Sequence, residues 1–236
     1  MAAAAYRSLK KAFRGNGENM QAIFSTIHQS NAWLGTESIS GPGSDSINTA
    51  TLKRELPIIL RELSVRTLLD APCGDLNWMK DVNIDLERYI GADIVPEVIH
   101  RNRESNDGLT VEFRILDITK NKLPRVDLIF CRDCLVHFSY DYIRSALRMF
   151  KASGSRYLLT TTFMGPRQNI DIETGGWRPL NLERPPFSLP PPIRVINEGY
   201  RGDGGIYADK SLGLWELCDL DVAAIASRMT EVEQQS

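Results

Sequence analysis

The 236-residue sequence predicts an α/β fold: a mostly parallel, seven-stranded sheet with helices on both faces. Two observations carry this. Short β-like runs alternate with helical stretches from about residue 65 to residue 163, the rhythm of βαβ units. Three successive runs also end in aspartate, at Asp70, Asp93 and Asp117.

The elements follow in order. Met1 to Gly15 is Ala-rich with Arg7, Lys10, Lys11 and Arg14, and reads as an amphipathic helix or frayed end in preference to a targeting segment. Residues 29–50 are rich in Ser, Gly, Asn and Thr and predict a loop, so that 1–50 forms an N-terminal helix and an arm or lid ahead of a main domain over 51–236. Leu52, Leu56, Ile59, Leu60 and Leu63 share one helical face, with Pro57 expected to kink that helix or mark its first turn. Strands are predicted over 65–70, 89–93, 111–117, 126–131 and 156–163. Pro96 opens a helix, and Ser139 is placed to cap another that ends at Gly154. Two closing strands are expected at 193–197 and 212–217. Residues 164–192 break the rhythm. Their prolines forbid a long helix, yet Ile170, Ile172, Trp177, Leu180, Leu182 and Phe187 can bury area. An ordered lid over the carboxyl ends of the strands is the expectation.

Bulk properties narrow the function classes. A formal charge of −2 disfavours a nucleic-acid partner. No apolar run reaches the roughly 18 residues of a membrane span. The four cysteines, Cys73, Cys131, Cys134 and Cys218, suggest no disulfide framework, which points to a reducing, cytoplasmic setting.

In an open parallel sheet, ligands bind at the carboxyl ends of the strands near the switch point. Carboxylates in register there suit ribose hydroxyls or amino groups. Each Asp taken singly is as well explained as a cap of the turn that follows. Asp133 and His137 follow the fourth strand and are candidate general bases, His137 because its ordinary pKa suits proton abstraction. A metal reading of Cys131, Cys134 and His137 lacks a second cysteine pair, and no metal is expected. The glycine fingerprint of a nicotinamide site is absent.

Leu69-Asp70-Ala71-Pro72-Cys73-Gly74-Asp75, with Asp93 and Asp117 at the next two strand ends, resembles the class I S-adenosylmethionine-dependent methyltransferases over roughly residues 60–165. Pro72 stands where the first glycine is usual, and Leu76 where another is common. The stretches 132–137, 174–181 and 211–215 are shared more narrowly with a poorly characterised subgroup. The resemblance implies a Rossmann-like sheet and S-adenosylmethionine as cofactor. It implies that Asp70, Ala71, Cys73 and Gly74 line the methionine part, Asp93 holds the ribose, Ile94 packs on adenine, Asp117 and Ile118 meet the adenine edge, and Cys131 and Arg132 lie beside the amino-acid end. Trp33 from the arm and Trp177 and Arg178 from the lid are the candidate substrate contacts, Arg178 as a charge selector. The expected activity is O-methylation of a small molecule or glycan. The alternatives are a peptide or protein acceptor, and a cofactor-binding regulator without catalysis.

Overall fold

The computed structural model describes residues 19–105 and 111–225. The expectation for Met1 to Gly15 therefore lies outside the described residues.

Four α-helices are described: α1 (Met20–Gln29), α2 (Ala50–Glu62), α3 (Pro96–Ser105) and α4 (Tyr140–Ala152). Seven strands form one sheet: β1 (Thr67–Asp70), β2 (Arg88–Asp93), β3 (Val111–Ile115), β4 (Leu128–Cys131), β5 (Tyr157–Phe163), β6 (Arg194–Asn197) and β7 (Lys210–Glu216). Their order is β3-β2-β1-β4-β5-β7-β6. The first five are parallel, and β7 runs antiparallel between β5 and β6. The chain reverses its direction of travel across the sheet between β1 and β4. This is the switch point where loops part and leave a crevice. The register sets Asp70 beside Gly91 and Phe130, so the ends of β1, β2 and β4 lie at one level.

Alternation along the strands divides the core in two. Leu69, Ile90, Ile129 and Leu158 face α4, α1 and the 180–189 stretch. Leu68, Leu128, Phe130 and Leu159 face α2. The α1 helix buries Met20, Ile23, Phe24, Ile27 and His28, a stripe at helical spacing, and Asn19 caps it by accepting from the Gln21 N–H at 3.1 Å. Pro57 lies in the interior of α2, which runs through it to Glu62; it is not a first-turn residue. Ser139 occupies the N-cap position of α4 but makes no capping bond with its side chain. The Tyr140 N–H is taken instead by Asp171 Oδ1 at 2.8 Å, from the proline-rich tract.

That tract departs from the lid expected of it. Leu180, Leu182 and Phe187 are fully buried in the same core as α4, and the Trp215 indole donates to the Pro190 carbonyl at 2.7 Å. Residues 180–190 thus cover the sheet where a helix would otherwise lie. The prolines rule out that helix, and buried apolar side chains do its packing. Only the 164–178 portion stays near the strand ends, and it holds them from the side.

Arg178 is the anchor of this arrangement, not a charge selector. It is 2% exposed. Its guanidinium donates to the carbonyls of Ile170, Leu135, Val136 and Phe138 at 2.8–3.2 Å. A planar fork of donors satisfies a turn whose carbonyls have no strand partner. Arg178→Ala is expected to lower stability by roughly 3–5 kcal/mol, read as a lower denaturant midpoint at unchanged slope. A variant as stable as the wild type would exclude this anchoring role.

Candidate active site

A cleft of about 1110 Å³, including its open mouth, lies over the ends of β1, β2 and β4. The turn after β1 forms its floor. Gly74 has φ +55°, a conformation that disfavours side chains, and a Cβ there would meet Ser40 Oγ at 2.5 Å. The one glycine kept in the first motif is therefore required both by backbone conformation and by close approach of the arm. The Gly74 N–H donates to Asp93 Oδ2 at 3.2 Å, and its carbonyl accepts from Asn102 at 2.8 Å. Ala71, Cys73, Ile94 and Ile118 all line the cleft.

Asp70 and Asp93 are buried on the cleft wall. Burial pushes the carboxyl of Asp70 up to about 7, although the Tyr89 hydroxyl donates to it. Burial likewise pushes Asp93 up to about 6, against N–H bonds from Val95 and Gly74. The other strand-end aspartate behaves differently. Asp117 Oδ1 accepts from the N–H and hydroxyl of Thr119 at 2.9 and 2.6 Å, and its carboxylate is off the cleft wall. Asp117 is a turn cap, while its neighbour Ile118 reaches the cleft. Cys131 is also displaced from its expected place: it is fully buried in the core behind the cleft, and Cys73 and Cys134 are the cysteines that line it.

Beyond β4 stands an ionic quartet in which Arg132, Glu198 and Lys210 are buried and the Asp133 side chain is 25% exposed. Arg132 Nη2 meets Glu198 Oε2 at 2.7 Å, and Lys210 Nζ meets Asp133 Oδ2 at 2.6 Å. Cross-contacts of 3.3 Å (Lys210 to Glu198) and 3.4 Å (Arg132 to Asp133) close the ring. Lys210 and Arg132 hold Asp133 well below the usual carboxylate range, despite its partial burial. A carboxylate so stabilised in its charged form is a poor base. The sequence reading missed Lys210 and Glu198, which come from the β6–β7 turn some sixty residues or more along the chain.

His137 remains as the candidate base. It lines the cleft, with its ring 4.9 Å from that of Trp33. Its Nδ1 lies 2.7 Å from the Gly176 carbonyl. A carbonyl only accepts, so the proton is assigned to Nδ1 and the lone pair to Nε2. Burial lowers its pKa, which favours the neutral ring.

The arm, not the proline-rich tract, covers the cleft. Met20, Phe24, His28, Trp33, Ile39, Ser40 and Ser44 line it, and no residue of 164–192 does. Trp177 is 43% exposed and packs on Phe163 and Tyr207 outside it. Asp75 ties the arm down by accepting from Ser38 Oγ at 2.8 Å and the Ile39 N–H at 3.1 Å. Arg132 does the same by donating to the Gly43 carbonyl at 2.7 Å. Among the described residues, the one gathered set of metal-ligand side chains is Glu216, Cys218 and Asp219, and none of these lines the cleft.

The raised carboxyls give stability a sign. A folded state that holds protons at Asp70 and Asp93 more tightly than the unfolded chain loses stability as pH rises from near 4 towards 6–7. Asp93 alone accounts for at most about 3 kcal/mol of this fall. Denaturation of the ligand-free protein at pH 4.5 and 7.5 is expected to show that limb, and Asp93→Asn to flatten it. An Asp93→Asn protein with the wild-type pH dependence would show that Asp93 titrates normally.

Comparison with known proteins agrees with this geometry. Residues 68–154 match the methyltransferase domain family. A search of the curated proteins finds no match. Among solved structures, magnesium protoporphyrin IX methyltransferase from Synechocystis PCC 6803 is 12% identical, with a TM-score of 0.48 over 67% of this chain and 82% of that one. The N-methyltransferase NodS from Bradyrhizobium japonicum WM9 is 16% identical, with a TM-score of 0.47 over 58% of this chain and 72% of that one. A possible exported protein from Bordetella parapertussis is 15% identical, with a TM-score of 0.41; the match covers 50% of this chain and spans less than half (44%) of that one. No helix among the described residues is long and apolar enough to cross a membrane. The family match places a methyltransferase domain at residues 68–154, on a sheet whose order puts the cleft at its switch point.

Proposed function

We propose that the chain methylates a hydroxyl oxygen of a small molecule or glycan, with His137 as the general base. The observation that carries this is the 2.7 Å contact of His137 Nδ1 with the Gly176 carbonyl at the cleft, from which the proton is assigned to Nδ1 and the lone pair to Nε2. The residues on the cleft wall fit the cofactor. Asp93, at the end of β2, offers carboxylate oxygens to a ribose, and Ile94 and Ile118 offer apolar faces to adenine. Asp70, Ala71, Cys73 and Gly74 line the part beside the β1 turn that suits the amino-acid end, with Arg132 across from them.

When bound, S-adenosylmethionine supplies an electrophilic methyl group on a sulfonium. This chain's residues then have three tasks. Trp33 and the arm exclude water and confine the acceptor. The wall residues hold the acceptor in line, which is where much of the rate of such a displacement arises. His137 takes the hydroxyl proton at Nε2 as the oxygen takes the methyl, and the ring leaves the step as imidazolium. Asp133, one loop away, offsets that charge.

A second reading, a peptide or protein acceptor, is favoured by the exposed apolar rim. Trp177 adjoins Gly176, and Met164, Ile206 and Tyr207 extend the surface outward. A larger acceptor would use that rim.

The test is turnover with methyl-labelled cofactor against panels of hydroxylated small molecules, glycans and peptides. His137→Ala is expected to lower kcat by about 10²–10⁴ with S-adenosylhomocysteine affinity near that of the wild type. A variant that keeps its kcat and the acid limb of its pH profile would remove His137 from the base role. Trp177→Ala is expected to leave small-acceptor KM unchanged; a raised KM confined to peptides would favour the second reading.

A further inference from the structure

His28 belongs to the inner stripe of α1 and lines the cleft. It is 8% exposed, and neither Nδ1 nor Nε2 has a hydrogen-bond partner. A neutral imidazole carries one N–H donor and one acceptor lone pair, and buried polar groups in folded proteins are almost always paired. Packing alone does not account for histidine here, because Met20, Phe24 and Ile27 supply the rest of the stripe and a phenylalanine would complete it.

The position of the ring narrows what it would meet. The Gln21 side-chain amide donates to the Ile94 carbonyl at 3.0 Å, which fixes α1 against the residue that follows Asp93. Gln29, next to His28, reaches Glu97 at the start of α3 at 3.4 Å. His28 also feels the charges of Arg101 and Glu97, from α3, and of Asp75, from the β1 turn. The ring therefore lies near both elements, and it lines the same cleft as Asp93. Burial keeps it neutral, so it offers one donor and one acceptor. The two ring nitrogens point away from each other, so one of them can meet one hydroxyl of a ribose, a group that both donates and accepts.

We propose that His28 is a cofactor-binding residue, hydrogen-bonding one ribose hydroxyl of S-adenosylmethionine from the arm while Asp93 binds the ribose from the sheet. The proposal rests on the reading of this cleft as the cofactor site. It makes α1 part of the binding surface as well as its cover, and it gives the arm a polar reason to close.

The experiment is calorimetric titration of the full chain with S-adenosylhomocysteine and with its 2′,3′-dideoxy analogue. His28→Phe is expected to leave the ligand-free Tm unchanged or higher, because a buried unpaired polar ring is removed. It should weaken S-adenosylhomocysteine binding about tenfold and leave the affinity for the dideoxy analogue as in the wild type. Unchanged affinity for S-adenosylhomocysteine in the folded variant overturns the proposal. So does an equal loss with both ligands, which would put the contact elsewhere on the cofactor. If the phenylalanine variant does not fold, His28→Ala is read by the same difference between ligands. A wild-type protein that binds neither ligand overturns the cofactor reading itself, and Asp93→Ala with wild-type affinity overturns the ribose placement.

Discussion

The ring of charges formed by Arg132, Glu198, Lys210 and Asp133 is the constraint on which the active end of this molecule depends. Two cations and two anions are largely taken out of water together, at a desolvation cost that only complete pairing offsets. The four charges come from three parts of the chain's path. Arg132 and Asp133 follow β4, Glu198 follows β6 and Lys210 opens β7. Losing any one leaves a buried charge unpaired, so the loop after β4 and the β6–β7 turn are positioned as a unit. The ring also reaches the arm. A Cβ on Gly43 would lie 2.9 Å from Asp133 Oδ2, and Arg132 donates to the Gly43 carbonyl. The arm can sit this close only because residue 43 has no side chain.

Two segments divide the packing of the sheet and the covering of the cleft between them. The proline-rich stretch looks like a lid because it has no period, yet Leu180, Leu182 and Phe187 bury themselves in the sheet's core. The arm, polar and rich in Ser and Gly, places Trp33 and Ile39 over the cleft beside Phe24 of α1. The reason lies in what each can satisfy. Prolines remove N–H donors that a packed irregular segment would otherwise have to pair, and Arg178 and Asn169 supply donors to the carbonyls that remain. A segment so satisfied can afford burial. The arm instead bonds outward: Ser38 Oγ donates to Asp75, and the Ser44 carbonyl accepts from the Asn77 side chain, which holds the arm on the rim.

What was legible in the sequence was whatever local periodicity encodes. All seven strands and the helices of the main domain fall near their expected places, because apolar alternation and 3.6-residue spacing are local signals. Asp93, Gly74, Ile94 and Ile118 reach the cleft because a strand end and the turn after it fix where such residues point. The resemblance also put Asp117 and Cys131 at the cofactor, and neither lines the cleft. The strand ends at Ile115, so Asp117 already belongs to the turn, and Cys131 is still in β4 with its side chain on the core face. Lys210, Glu198 and His28 left no local trace as site residues. Their meaning comes from long-range contact, and a single lysine at a strand start or a histidine in an apolar stripe is commonplace.

The ionic ring also separates two residues that the sequence could not rank. Asp133 and His137 stand four positions apart and both face the cleft. Lys210 and Arg132 fix the first as an anion, and the energy that stabilises its charge is what it would have to give up on accepting a proton. His137 is outside the ring, and the forces on it nearly oppose one another. Burial lowers its proton affinity, the Gly176 carbonyl and Asp133 raise it, and Arg178 and Lys210 lower it again. The balance favours the neutral ring in the resting site, without removing the nearby anion that would stabilise imidazolium once formed. A ring of zero net charge serves this arrangement better than a lone carboxylate would. An unpaired Asp133 would hold His137 protonated before the acceptor arrived, whereas one already committed to Lys210 lends it only the remainder of its field.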